Sequence, residues 1–271
     1  MGKSLLVGRT LEEIYPESPN QIGNSVLQVE EISTETILNR VSFHLREGEI
    51  LGVAGMVGSG RTELARAIFG ADPLTSGTIN IKGQDVFFKN PAAAIKNKIS
   101  LVPEDRKHHG LFTELSILNN ITLPILSKIS RWGFTVKKKE TEIIALARHQ
   151  HSIAMTSMHQ EVQYLSGGNQ QKVVLSKSLQ TIPEIIIMDE PTRGVDVGAK
   201  FEIYQLMRQL NRDGIAILMI SSELPEILGL SDRILVMREG KIVAELTANE
   251  ATEEMIIEFA TTKTAGDAKN I

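Results

Sequence analysis

A short apolar run, Ile50-Leu51-Gly52-Val53-Ala54, passes directly into the glycine-rich octapeptide Gly55-Met56-Val57-Gly58-Ser59-Gly60-Arg61-Thr62. A strand this uniformly apolar suits a parallel sheet covered on both faces, because neither face then meets water. Parallel strands need crossover connections, which are usually helices. The next residues supply one, since Arg61–Phe69 reads as a helix stopped by Gly70. A chain that starts its core this way is committed to strand–helix units.

The rest of the chain keeps to that plan. Val41-Ser42-Phe43-His44-Leu45 alternates as a half-buried strand, and Arg46–Glu49 reads as a turn. Ile79–Ile81, Ile99–Val102, Ile185–Met188 and Ile215–Ile220 read as further strands, and Ala199–Arg212 as a helix. Residues 234–246 predict a hairpin turning at Glu239-Gly240. The middle is helical, best over Ile117–Leu126 and Lys138–His151. Alternation of this kind predicts an α/β fold, a parallel sheet with helices on both faces. Residues 1–24 lack periodicity and hold two prolines in Tyr15-Pro16-Glu17-Ser18-Pro19-Asn20, the mark of an extended linker. The small, polar tail after Thr261 is expected to be disordered.

Composition excludes several classes. With 271 residues the chain can bury a sizeable core. Its 29 Lys and Arg against 33 Asp and Glu argue against a nucleic-acid partner, which asks for a basic excess. Cysteine is absent, so disulfides, thiolate metal sites and Cys nucleophiles are absent with it. No apolar run approaches the ~18 residues of a membrane span, so the chain reads as soluble and any membrane role as peripheral. Scarce aromatics, with a single Trp132, argue against base-stacking platforms.

Three motifs carry chemistry. Gly55–Thr62 lies between a predicted strand and a predicted helix, the context a P-loop requires. Its glycines let several N–H groups converge on a phosphate, and the Thr62 hydroxyl can reach Mg2+. Arg61 stands where the pattern has Lys, and a planar guanidinium does not replace a compact ammonium. A plain glycine-rich turn is the alternative. Asp189 and Glu190 end the Ile185–Met188 strand, as a metal-holding acid and a neighbouring general base would. The alternative is a strand end meeting solvent, and the continuation Pro191-Thr192-Arg193-Gly194-Val195-Asp196 weighs against it. Ser166-Gly167-Gly168-Asn169-Gln170 opens another helix and presents N–H groups and a hydroxyl to an anion. It also reads as a simple cap, with Ser166 a favoured N-cap and Gln170 near capping-box spacing. His108-His109 and the His149/His151 pair lack a carboxylate or Cys constellation and read as solvated surface. Lys137-Lys138-Lys139 reads as an exposed helix start rather than a phosphate patch, and Gly8-Arg9-Thr10 as linker.

In this order the motifs resemble the nucleotide-binding domain of ATP-binding cassette transporters, over about residues 26–246. Gly60-Arg61-Thr62, Pro103–Lys107, Leu165–Lys172, Asp189–Lys200 and Ser221-Ser222-Glu223-Leu224-Pro225-Glu226 bring it nearest the C-terminal cassette of tandem-cassette importers of the ribose, galactose and xylose type. The resemblance implies a RecA-like P-loop NTPase core with an antiparallel β subdomain and an α-helical subdomain. A cassette over 25–260, its helical insertion at about 104–178, would follow an inter-cassette linker over 1–24 and precede a flexible tail over 261–271. It implies ATP and Mg2+ as ligands. Gly55 and the stretch Gly58, Ser59, Gly60, Arg61 and Thr62 would wrap the phosphates. Asp189 with Thr62 would hold the metal, and Glu190 would polarise the attacking water. Glu104 stands where the family carries a Gln that watches the γ-phosphate and contacts the permease. Ser166, Gly167, Gly168, Asn169 and Gln170 would close over a partner cassette's nucleotide, and Asp196 would lie in the loop crossing that interface. Ser222 stands where most cassettes place a His that clamps the γ-phosphate, and Glu30–Arg40 holds no aromatic to stack on the base. The implied outcome is a degenerate site of its own, binding ATP with little turnover, beside a signature segment that completes the partner's site.

The implied partners are the N-terminal cassette of the same transporter or a second cassette, membrane permease subunits, and indirectly a solute-binding protein outside the cell, with no nucleic acid. The implied place is the cytoplasmic face of the membrane, docked on the permease through the groove between core and helical insertion. Other readings stay open: a regulatory nucleotide clamp without chemistry, a soluble cassette ATPase acting on DNA or ribosomes, and a P-loop kinase. The kinase has no need for Ser166–Gln170.

Overall fold

The computed structural model describes residues 15, 16, 22–132 and 134–262. Most of the expected linker over 1–24, Gly8-Arg9-Thr10 included, and the tail beyond Thr262 lie outside these residues.

The chain begins with β1 (Ser25–Ser33), β2 (Val41–Arg46) and β3 (Ile50–Gly55), then α1 (Arg61–Ile68). There follow β4 (Ser76–Ile81), β5 (Gln84–Val86), α2 (Pro91–Lys96) and β6 (Ile99–Val102). The middle holds α3 (Ile117–Thr122), α4 (Leu126–Ile129), a small hairpin of β7 (Ser130–Arg131) and β8 (Phe134–Thr135), and α5 (Lys137–Gln150). The last part runs α6 (Gly167–Leu179), β9 (Ile185–Asp189), α7 (Val197–Arg212), β10 (Ala216–Ile220), α8 (Leu224–Leu230), β11 (Arg233–Arg238), β12 (Lys241–Thr247) and α9 (Glu253–Thr261).

Two main sheets result. A six-stranded sheet runs β12-β11-β3-β10-β9-β6, parallel throughout except for β12, which pairs antiparallel in the late hairpin. A four-stranded antiparallel sheet, β2-β1-β4-β5, forms the second layer. The parallel strands show why their sequences are uniformly apolar. On β9, Ile186 and Met188 face the helices, while Ile185 and Ile187 face the antiparallel sheet and α1. On β10, Ile217 and Met219 divide from Leu218 and Ile220 in the same way. Successive side chains point to opposite faces, and both faces here are cores. Burying each Ile or Leu contributes about 1.5–3 kcal/mol.

The sequence periodicity gives no strand before Val41, yet β1 is there. Its alternation is broken where the register shifts between Val29 and Ile32, and Glu31 sits at φ 49° inside that bulge. The single helix expected over Ile117–Leu126 ends at Thr122, because Pro124 has no N–H to extend the ladder. A 3-10 turn over Leu123–Ile125 then leads into α4. Tyr15 and Pro16 lie on α7 and α8: the Tyr15 ring is 5.2 Å from that of Tyr204, and Arg208 Nε donates to the Pro16 carbonyl at 2.8 Å.

Candidate functional site

The parallel strands β3, β9 and β10 end side by side, and the residues that follow them line one cavity of about 580 Å³. Gly58, Arg61, Glu104, Glu190, Arg193 and Ser222 are among its walls. Openings at the carboxyl ends of parallel strands are where α/β sheets bind ligands.

The glycine turn is tightly held. Ser59 N donates to Met56 O at 3.0 Å, and Gly240 N donates to Ser59 O at 2.9 Å. Gly60, the cap of α1, sits at φ 101° with the Gly240 backbone close beside it, a conformation costing an L side chain roughly 1–2 kcal/mol. α1 begins directly from this turn with no side-chain cap, and the first N–H groups of a helix have no partner within it. An anion is the natural partner for such an end.

Arg61 does not extend into the cradle as the pattern's Lys would. Its Nη1 donates to Gly55 O at 2.5 Å and to Ser221 O at 3.2 Å, and its Nη2 lies 3.7 Å from Glu190 Oε1. The guanidinium thus ties together the ends of β3, β9 and β10. Burial lowers its pKa, against the pull of Glu190 and Asp189, and it stays a cation at neutral pH. Glu190 also accepts from Ser222 Oγ at 3.0 Å. Its backbone is left-handed, φ 49°, which turns the side chain out of the strand end. Strain of this sort collects at working sites.

Two buried atoms in the site lack a protein partner, Ser59 Oγ and Asp189 Oδ1. Burial pushes the Asp189 carboxyl up to about 6, with a hydrogen bond from Thr62 opposing the rise. A buried carboxylate with an orphan oxygen, beside the Thr62 hydroxyl at the head of α1, fits a hard cation and its water shell. The residues present therefore suit Mg2+ with a phosphate. Among the described residues no group of three or more His, Cys, Asp and Glu forms a metal cage of its own.

Glu104 forms an ion pair with Arg193 at the cavity wall. The residues Ser166, Gly167, Gly168, Asn169, Gln170 and Asp196 do not line this cavity; they form a second cluster. Ser166 caps α6 by accepting from Asn169 N at 3.4 Å, and Asp196 caps α7 by accepting from Ala199 N at 3.0 Å. The two helices meet at Gly168, where a Cβ would stand 2.4 Å from that of Ala199. Arg106, absent from the sequence-stated site, joins the clusters. It donates to Gln170 Oε1 at 3.4 Å and to the Arg193 carbonyl at 2.6 Å. Only its place in Pro103–Lys107 marked it beforehand.

Glu226 is a second residue that sequence reasoning missed. It is 1% exposed and accepts from Thr192 Oγ1 at 2.7 Å and from Ser221 Oγ, so it binds the loop after Glu190 to the loop carrying Ser222. Burial raises its pKa. The Tyr204 hydroxyl, whose ring lies against that of Tyr15, opposes this rise.

Two expectations need correction. Gln170 is no capping-box residue: Asn169 holds that spacing from Ser166, while Gln170 Nε2 donates to Val162 O at 3.2 Å. His151 is not a solvated surface residue, being half-buried with Nδ1 against Ser176 Oγ and its pKa lowered to about 4 by burial. His108, exposed as expected, does have a carboxylate partner, Asp105, at 2.7 Å.

Comparison with known proteins gives a consistent family. The family model described as ABC transporter matches residues 38–193. The ribose import ATP-binding protein RbsA of Bacillus licheniformis is 49% identical over 256 residues, 94% of this chain and 52% of that protein. The protein of the same name from Bacillus subtilis is 48% identical with the same coverage. The chain therefore spans about half the length of the curated relatives it matches. A nucleotide-free ATP-binding cassette from an ABC transporter superposes with a TM-score of 0.74 at 22% identity, covering 88% of this chain and all of that one. A post-hydrolysis dimer of the cassette MJ0796 bound to ADP and Pi gives 0.71 at 23% identity, covering 82% and 98%. At such identities the structures speak for the fold alone.

Proposed function

This chain belongs to the ABC transporter family, and from that premise we propose that it is an ATP-binding, ATP-hydrolysing half of an importer of ribose or a related sugar. It acts with a second cassette and with permease subunits at the cytoplasmic face of the membrane, where ATP with Mg2+ is its ligand. Among the described residues no helix is long and apolar enough to cross a membrane. The sugar class rests on the names of the relatives.

In this reading the glycine turn and the open end of α1 cradle the phosphates through main-chain N–H groups. Thr62 and Asp189 hold the metal, which when bound neutralises phosphate charge and lowers the barrier to attack. Glu190 accepts the proton of the attacking water. The observation that carries the proposal's finer part is Arg61, which lines the cavity with its guanidinium already committed to Gly55 O, Ser221 O and Glu190. Both Glu190 carboxylate oxygens already face protein partners, Oε1 the Arg61 guanidinium and Oε2 the Ser222 hydroxyl, so the carboxylate is held away from an attacking water. The site therefore binds ATP and turns it over slowly. The Ser166–Gln170 segment, lying outside the chain's own cavity, is left to complete the site of a partner cassette.

Calorimetric titration with ATP, with and without Mg2+, tests the binding, and single-turnover hydrolysis of the chain alone tests the slow chemistry. Magnesium-dependent binding with turnover far below the ~10 s⁻¹ of ordinary enzymes is expected. Rapid hydrolysis abolished by Glu190→Gln would overturn the degenerate site. No binding at millimolar ATP would overturn the nucleotide site altogether.

A further inference from the structure

The β7–β8 hairpin lies outside the nucleotide site, and neither the cavity nor the signature cluster uses it. Ser130 pairs with Thr135 and Arg131 with Phe134, while Ile129 O accepts from Val136 N at 3.0 Å. This register puts two large aromatics at the tip in water: Trp132 is 87% exposed and Phe134 79% exposed. Single exposed apolar residues are ordinary. Two aromatics on one protruding tip among cations are less so.

Charge is concentrated around the same hairpin. Residues 115–139 carry Lys128, Arg131 and the run Lys137-Lys138-Lys139, with no Asp or Glu, in a chain of net charge −4. All five are exposed, and none enters an ion pair among the described residues. The three lysines also occupy the first turn of α5, whose N-cap Val136 offers no side-chain bond. A helix N-terminus favours acids, and beside the single Glu140 of that turn the three cations work against helix stability.

We propose that this hairpin is a contact surface for an anionic lipid bilayer. Trp and Phe sit well at the headgroup level, where an apolar ring body and a wet surround meet. Flanking lysines and arginines then meet the negative surface potential of the leaflet. A nucleic acid would have to approach an acidic protein along its length, whereas a bilayer takes only the tip. The inference does not depend on the nucleotide-site reading.

Trp132 is the only tryptophan in the chain, so its emission reports on the tip directly. The chain is titrated with vesicles of phosphatidylglycerol and phosphatidylcholine in equal parts, and with phosphatidylcholine alone. The expected result is a blue shift and co-sedimentation with the anionic vesicles, weakened by salt. The Lys137→Gln/Lys138→Gln/Lys139→Gln variant should bind about 100-fold more weakly. Phe134→Ser should bind at least about tenfold more weakly with a smaller shift. All these positions are exposed, so a melting point that does not fall, with unchanged ATP binding, identifies a surface effect. Unchanged Trp132 emission with anionic vesicles, equal binding to phosphatidylcholine alone, or variants that bind like the parent would overturn the proposal. So would quenching by duplex DNA at the same salt while vesicles leave the chain in solution.

Discussion

Acidification should loosen the attachment of the signature helix through His151. The imidazole is half-buried at the end of α5, with Nδ1 on Ser176 Oγ of α6, and its pKa falls from 6.5 to about 4 because burial disfavours the charged ring. The unfolded chain then binds more protons than the native one between those values, so native stability is lost as pH falls from about 6.5 towards 4. At 1.36 kcal/mol per unit the full loss approaches about 3 kcal/mol. Between about pH 7.5 and pH 5 the same two values give a loss of about 2 kcal/mol. Urea unfolding of the parent and of His151→Gln at both pH values isolates this contribution, because the other titrating groups are shared. The parent should lose about 2 kcal/mol more than the variant. Equal losses in both proteins would refute a neutral, desolvated imidazole at this position.

Three further outcomes follow from the packing and charge of the site. Gly168→Ala should destabilise the chain by about 1–3 kcal/mol in a urea titration, because the added methyl meets the Ala199 side chain where α6 and α7 touch. Thr192→Val leaves one oxygen of the buried Glu226 without its donor and should cost about 2 kcal/mol by thermal or urea unfolding. Asp189→Asn removes a carboxylate that burial holds at about 6. Its native form binds more protons than the unfolded form from about 4 to 6, so it destabilises the nucleotide-free chain above that window. The Asn variant should melt about 5 °C higher at neutral pH while losing magnesium-dependent ATP affinity, and an unchanged melting point would contradict the buried charge.

The legible part of this fold is the part whose burial is simple. β9 and β10 are buried on both faces, so their sequences are continuous apolar runs, and the loops at their ends carry the acid pair and the Ser221-Ser222 step. β1 escaped because Glu30 and Glu31 sit in a bulge that breaks the alternation. α2 and α9 announce themselves only by their caps, Asn90 with Pro91 and Thr252 with two acids, and both are too short for periodicity to show. In the site, residue types were readable and directions were not. The spacing of the glycines, Thr62, Asp189 and Glu190 is the part from which the proposed phosphate and metal chemistry can be read. That Arg61 turns back onto Gly55 O, Ser221 O and Glu190 depends on three strands meeting, as does the choice of Glu226 to join two loops. Neither leaves a local signal.

The most direct test of the account is the single-turnover hydrolysis rate of Arg61→Lys beside the parent and the Arg61→Lys/Glu190→Gln double variant, each saturated with ATP and Mg2+. An ammonium cannot hold all three of the guanidinium's partners, so Glu190 is released and the cradle gains a compact cation. Hydrolysis by the lysine variant should rise at least about tenfold over the parent, and the added Glu190→Gln should remove the gain. A lysine variant that binds MgATP yet hydrolyses it no faster than the parent would contradict the claim that Arg61 restrains this site.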